Sequence, residues 1–398
     1  MKKIVCVLLM TLAVSWLNSG CASLKRGAGV PAPLISQAEI PGMPGVRYRA
    51  ANINDLSVEA LEMITKQRAG RKEQGLSEEL PPTNLLAISG GGDDGAFGAG
   101  LLIGWTKKGD RPQFDIVTGV STGALIAPFA FLGSKYDDQL RSVYTKISTK
   151  DILKMRGVTA AVFNDAMADN KPLWHLVGRY MNAKMLEDIA AEYKKGRLLM
   201  VGTTDLDARQ GVIWNMTKIA ASHDPKALDL FRKIMVASAA IPGAFPPMMI
   251  DVEVNGRKYQ EMHVDGGATA QVFVYPPGIN VREFQKTAGT TDRKRTLYII
   301  RNSRIDADWA QVERKTLKVM GRAVSSLIQS QGRGDLYSIY VLTQRDGLDY
   351  NLAFIPKDFN APHPAEFDRA YMNTLFNRGY AMAEKGYDWQ KQPPGLKE

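Results

Sequence analysis

Gly119-Val120-Ser121-Thr122-Gly123 places a serine between two glycines directly after the apolar run Phe114-Asp115-Ile116-Val117. That order is the sequence form of a nucleophile elbow, a sharp strand-to-helix turn in which the flanking glycines leave room for a strained backbone and hold the hydroxyl exposed for attack. The helix expected from Thr122 aims its N–H groups and its positive dipole end at the same point. A second glycine-rich turn, Gly90-Gly91-Gly92-Asp93-Asp94-Gly95, follows the apolar strand Leu85–Ser89 and leads into another helix. Its successive N–H groups can converge on one negatively charged oxygen. Gly90-x-Gly92-x-x-Gly95 also has the loose spacing of a dinucleotide fingerprint, but Asp93 and Asp94 would then face the pyrophosphate, no Lys-Ser/Thr pair follows, and the serine elbow is left unexplained. The third element, His263-Val264-Asp265-Gly266-Gly267, closes a hairpin expected around Asn255-Gly256 and by itself reads as a common turn.

The order of these elements, together with Ala237-Ser238-Ala239-Ala240-Ile241-Pro242-Gly243-Ala244-Phe245-Pro246-Pro247, resembles the patatin-like phospholipase family from about Leu85 to Tyr275. The resemblance implies a three-layer α/β/α fold with a mostly parallel central sheet. It implies a catalytic dyad of Ser121 and Asp265 without histidine, and an oxyanion hole built from Gly90, Gly91, Gly92 and Asp93. Gly95, Gly119, Gly123, Gly266 and Gly267 complete its motifs. The implied activity is hydrolysis of lipid acyl esters, of the phospholipase A or lysophospholipase type. One departure stands in the glycine-rich box, where Asp94 occupies the place at which many relatives carry Arg or Lys. Backbone N–H groups must then hold the oxyanion unaided.

For Asp265 to accept the serine proton, its pKa must rise from the ordinary ~3.9, and partial desolvation is the means. A Ser-acid-His triad is the alternative, and His363, between Pro362 and Pro364, is the one histidine in that chain order. Strand alternation puts His263 on the same face as Asp265, where a supporting role is conceivable. No His or Cys pair stands at ligand spacing, so neither metal nor cofactor is expected. A non-catalytic envelope lipoprotein that binds lipid or a partner is the reading from another class, and it leaves the pairing of Ser121 with Asp265 without a purpose.

Strands alternating with helices argue for a mostly parallel sheet covered on both faces, with functional loops at the carboxyl ends of its strands. The expected strands include Leu85–Ser89, Phe114–Val120, Leu198–Thr204, Thr296–Asn302 and Tyr350–Ile355; the expected helices include Asp55–Gln74, Ala96–Lys107, Thr122–Leu132, Leu228–Ser238, Trp309–Gly332 and Ala365–Glu384. The apolar residues Met155, Val162, Phe163, Met167, Leu173 and Trp174 read as core packing rather than a lipid groove.

At 398 residues, 45% of them hydrophobic, the chain can bury a substantial core. Its start reads as an export signal over residues 1–20, with basic Lys2-Lys3, an apolar run from Ile4 to Leu17, and small residues before Cys21. Cys6 lies inside that signal, which leaves Cys21 no disulfide partner; the pattern resembles a bacterial lipoprotein whose Cys21 is lipidated. Residues 21–54 then form a tether, 55–84 a helical segment, 85–280 the catalytic domain and 281–398 an α/β extension packed on the same domain. The expected location is the bacterial envelope, lipid-anchored to a membrane on the periplasmic side of the outer membrane. The expected partners are a membrane lipid or fatty-acyl ester as substrate and the membrane surface reached through the N-terminal lipid. The formal charge of +10, which becomes +8 when Lys2 and Lys3 leave with the signal, would favour anionic headgroups, and no nucleic-acid-binding motif is present.

Overall fold

The computed structural model describes residues 24–49, 53–157, 165–291, 293–306 and 309–396. The expected signal and Cys21 lie outside the described residues, as do Val162 and Phe163. Nine strands share one sheet: β1 (Arg47–Arg49), β2 (Thr83–Ile88), β3 (Ile116–Val120), β4 (Leu198–Asp205), β5 (Gln210–Asn215), β6 (Met248–Val254), β7 (Arg257–Asp265), β8 (Arg295–Arg301) and β9 (Asp349–Phe354). The run β9-β8-β2-β3-β4 is parallel throughout. Beyond β4 the pairing turns antiparallel, through β5 to β1. The β6–β7 hairpin turns on Asn255 and Gly256, both at positive φ (49° and 77°), as the two-residue turn demands.

The central strands are apolar on both faces because both are covered. Leu86, Ile88, Val117, Leu199 and Val201 face one core and Leu85, Ala87, Leu198, Met200, Leu297 and Ile299 the other. The helices that frame the site are α1 (Ile53–Glu73), α2 (Gly95–Lys108), α3 (Thr122–Leu132), α4 (Ala227–Ser238), α5 (Val281–Ala288), α6 (Thr316–Asp346) and α7 (Arg369–Glu384). The first core takes Phe97 and Leu101 of α2, Ile126 and Phe129 of α3, Phe231 of α4 and Phe376 of α7. The second face takes Leu56 and Ile64 of α1 and Leu336 and Ile339 of α6. The result is the expected three layers, α/β/α, around a mostly parallel sheet.

Two expectations need correcting. The stretch read as a tether is partly folded: Ile40, Met43 and Val46 are buried and β1 pairs with β5. Its Gly- and Pro-rich composition hid Arg47 and Arg49, which are drawn inward by buried carboxylates far along the chain. The helix expected over Trp309–Gly332 starts at Thr316 and runs on to Asp346. Gly332 does not end it, since an isolated glycine is tolerated inside a helix; Gly347 does, in the left-handed conformation (φ 70°).

Candidate active site

The sheet topology brings Ser121 and Asp265 together. One edge of β4 is filled by β5 from Met200 to Asp205. The other pairs with β3 as far as Val120↔Gly202, where β3 stops. From the next residue β7 takes over that edge in the opposite direction, with Thr203↔Asp265. The strand that leads into Ser121 thus meets head-on the strand that ends at Asp265.

Ser121 has φ 56° and ψ −126°, a left-handed conformation that a non-glycine residue holds only when its surroundings enforce it. They do. Its N–H donates to Ser238 Oγ at 3.0 Å, and Ser238 in turn donates to the Gly202 carbonyl at 2.7 Å. A Cβ on Gly123 would strike the Ile88 carbonyl oxygen, so only glycine lets α3 start this close to β2. Gly95, Gly119, Gly266 and Gly267 lie against Thr122, Gly123, Val120 and Asp265 respectively. All the motif glycines therefore gather around one point.

Asp265 is 4% exposed. Its N–H donates to the Ala240 carbonyl at 2.9 Å, and its Oδ1 accepts the Gly267 N–H at 2.7 Å. Burial pushes the carboxyl up to about 7, against the opposing hydrogen bonds from the Ser121 hydroxyl and the Gly267 N–H. That value suits a group that takes a proton and returns it near neutrality.

The glycine loop differs from expectation at one of its four residues. The Gly90 N–H is spent on the Gln271 carbonyl at 3.0 Å. Gly91, Gly92 and Asp93 remain, their N–H groups without a protein partner among the described residues. A Cβ on Gly91 would collide with the Asn302 carbonyl oxygen, which fixes that position as glycine. Asp93 is buried and holds the loop in place with its side chain, accepting His363 Nε2 at 2.7 Å and the Phe367 N–H at 2.8 Å. Beside it Tyr371 donates to Asp94 at 2.5 Å, and burial pushes Asp94 up to about 7 against that hydrogen bond. The acidic pair thus ties the loop to α7 and to the segment leading into it.

Neither candidate histidine reaches Ser121 or Asp265. His363 is on Asp93, stacked at 3.9 Å on Tyr371. His263 does share a face with Asp265, but it is fully buried between Thr203 (2.9 Å) and Glu261 (3.0 Å). No histidine bonds to Ser121 or Asp265 among the described residues. Two groups bring possible ligand atoms within 4.8 Å of one another: Asp93, His363 and Glu366, and Asp205, Glu261 and His263. In the second, Arg47 and Arg49 already neutralise the carboxylates.

Ser121 itself is only 7% exposed, in contrast to the open hydroxyl its motif predicts. Gln271 packs close by, anchored through Nε2 to the Gly267 carbonyl at 2.9 Å and through its N–H to Asp335 at 2.7 Å. Nothing in the sequence around Gln271 marks it. Ser238 carried a signal, since it lies in the Ala-Ser-x-Ala-x-Pro segment.

A family model described as Patatin-like phospholipase matches residues 86–276. Among curated proteins none matches the chain. Among solved structures, VipD from Legionella pneumophila is similar at 11% identity over 78% of this chain and 68% of that one, with a TM-score of 0.35. The serine elbow, the glycine loop and the Asp-Gly-Gly turn all fall inside the matched segment, and residues 86–276 are a patatin-like phospholipase domain, of a family that in general hydrolyses lipid acyl esters.

Proposed function

We propose that this protein is a serine acyl hydrolase of the phospholipase A or lysophospholipase type, working through a dyad of Ser121 and Asp265. The observation that carries this reading is the Asp265 carboxyl, buried at the end of β7 with the Ser121 hydroxyl and the Gly267 N–H as its hydrogen-bonding neighbours and raised to about 7. Asp265 takes the Ser121 proton as Oγ attacks the ester carbonyl. The tetrahedral oxyanion is held by the N–H groups of Gly91 and Gly92 and by the amino end of α3, each such donor being worth about 3 to 4 kcal/mol of barrier. Protonated Asp265 then gives its proton to the leaving alkoxide. Water, activated by the same carboxylate, hydrolyses the acyl-serine and restores the dyad. A lipid on Cys21 would hold the enzyme at an envelope membrane where such esters lie, and mass spectrometry of the mature N-terminus checks that part.

A fluorophosphonate tests the chemistry. The wild-type protein is expected to be labelled on Ser121, and Ser121→Ala to lose both labelling and ester hydrolysis while melting at the wild-type temperature. Labelling that persists in Ser121→Ala overturns the assignment.

A further inference from the structure

The first turns of α6, its amino-terminal half, stand away from the core among the described residues. Among the described side chains of residues 309–327 none is buried, whereas Leu336 and Ile339 further along α6 are core residues. Yet this half is not polar. Val319, Met320, Ala323, Val324 and Leu327 recur at the spacing of one helix face, and Lys318, Ser325 and Gln329 fall on the opposite one. Leu327 is 69% exposed, and Trp309, just ahead of the helix, is 88% exposed. Arg314 and Lys318 make no ion pair among the described residues.

The position of this half-helix relative to Ser121 follows from its ties. Asp335 accepts the N–H groups of Gln271 (2.7 Å) and Val272 (3.3 Å), so it stands level with the active-site loops. Gly332 lies against the Arg301 guanidinium at the carboxyl end of β8. Because α6 descends to the amino end of β9, everything before Gln329, which holds the Asp306 carbonyl at 3.0 Å, projects past the carboxyl ends of the strands. Residues 316–327 make a rod of roughly 18 Å on the catalytic side of the sheet.

We propose that this half of α6, together with Trp309, docks the protein on an anionic lipid bilayer, its apolar face sunk into the headgroup boundary and its carboxyl-end loops turned toward the lipid. An exposed apolar helix face opposite a polar one, with a tryptophan beside it, is the pattern of an interfacial helix. A solvent-exposed helix segment without tertiary packing is marginal in water, so a surface that covers the apolar face also stabilises it. The charge selects the surface: the chain is formally +10, or +8 without Lys2 and Lys3, and Arg314 and Lys318 fall at this end. The purpose of docking rests on the acyl-hydrolase reading, but the binding does not.

The test uses the full chain carrying Ser121→Ala, so that lipid is not consumed. The vesicles are equal parts phosphatidylglycerol and phosphatidylcholine, or phosphatidylcholine alone, with brominated acyl chains as quenchers. Trp309 emission, isolated by comparison with Trp309→Phe, is expected to be quenched on the anionic vesicles and about tenfold less in Met320→Glu/Leu327→Glu. This readout holds even if a lipid at the N-terminus keeps both proteins on the vesicle. In the background with Ser121 intact, the double variant is expected to lose vesicle-lipid hydrolysis about tenfold while a soluble short-chain ester is turned over within about twofold of wild type. Unquenched Trp309, or equal quenching in the variant, overturns the proposal. A change in oligomeric mass in the variant without a change in quenching also overturns it, and assigns the face to a second protein surface. If the wild-type protein hydrolyses no ester at all, the acyl-hydrolase reading falls and the quenching result still decides the docking.

Discussion

At the residue scale, the proposed dyad makes a prediction in pH. Because Asp265 titrates at about 7 in the folded protein, kcat/KM on a short-chain ester should rise about tenfold per pH unit below that value and flatten above it. Asp265→Asn should abolish turnover at every pH, and His363→Ala should keep most of it. An equal collapse in His363→Ala with folding intact would restore a triad. The same residue affects stability with a definite sign. A carboxyl raised on folding favours the native state below its ordinary pKa of 3.8, and that contribution drains away as pH climbs to about 7. Asp265→Asn should therefore gain on wild type across that window, by about 4 kcal/mol by pH 8, read from urea melts at several pH values. Asp94 titrates in the same window, and Asp94→Asn, which should leave the activity profile in place, separates the two. The glycine loop gives the complementary case. Gly92 has φ 59° and open space around it, so Gly92→Ala should cost about 1 kcal/mol of stability and far more in turnover. A Cβ on Gly91 hits the Asn302 carbonyl, so there fold and activity should fall together.

Elements explain which of these residues were legible in the sequence. The serine elbow, the glycine loop and the Asp-Gly-Gly turn are local devices: each needs glycine where a neighbouring backbone passes, and a constraint of that kind leaves its mark on consecutive letters. Strand β1 has no such mark. It is held by Arg47 on Glu261 (2.5 Å) and by Arg49 on Asp205 (3.0 Å) and Glu261 (2.8 Å), partners that composition around Arg47 cannot announce. Gln271 and the Asp93–His363 contact were hidden for the same reason. The ion cluster behind β1 is testable. Burial alone would raise Glu261, but the hydrogen bond from His263 and the guanidiniums of Arg47 and Arg49 hold it down to about 2. Its stabilisation is present above the ordinary 4.5 and is lost as pH falls toward 2. Glu261→Gln leaves Arg47 without a carboxylate and Arg49 with Asp205 alone, and it should cost about 3 to 5 kcal/mol at neutral pH, visible as a lowered melting temperature with the pH profile of turnover unchanged. A loss under 1 kcal/mol would mean that β1 is held by its ladder to β5 rather than by charge.

For the whole molecule, the catalytic domain read from motifs and the unit that folds are different things. The family match ends at residue 276, but the sheet does not. Strand β8 pairs with β2 over six residues, Arg295↔Thr83 to Ile300↔Ile88, so without it the strand that carries the glycine loop becomes a bare apolar edge. Asn302, just past β8, then ceases to shape that loop. Its N–H and Nδ2 donate to Ser89 Oγ (2.8 Å) and the Ser89 carbonyl (2.9 Å), its Oδ1 accepts the Gly98 N–H at 3.1 Å, and its carbonyl sits where only glycine fits at 91. Loss of α6 removes Asp335 from Gln271, and loss of α7 uncovers Phe97 and Leu101 of α2, which share a core with Met372 and Phe376. A chain cut after Ala288 keeps Ser121, Asp265 and every motif glycine. It should nevertheless melt without a cooperative transition and take up no fluorophosphonate, because the layers on both faces of the sheet are completed by the last hundred or so residues. A cooperative urea transition together with labelling of Ser121 in that truncated chain would show instead that the matched segment folds alone and that β8, β9 and the helices after them are an addition to a finished domain.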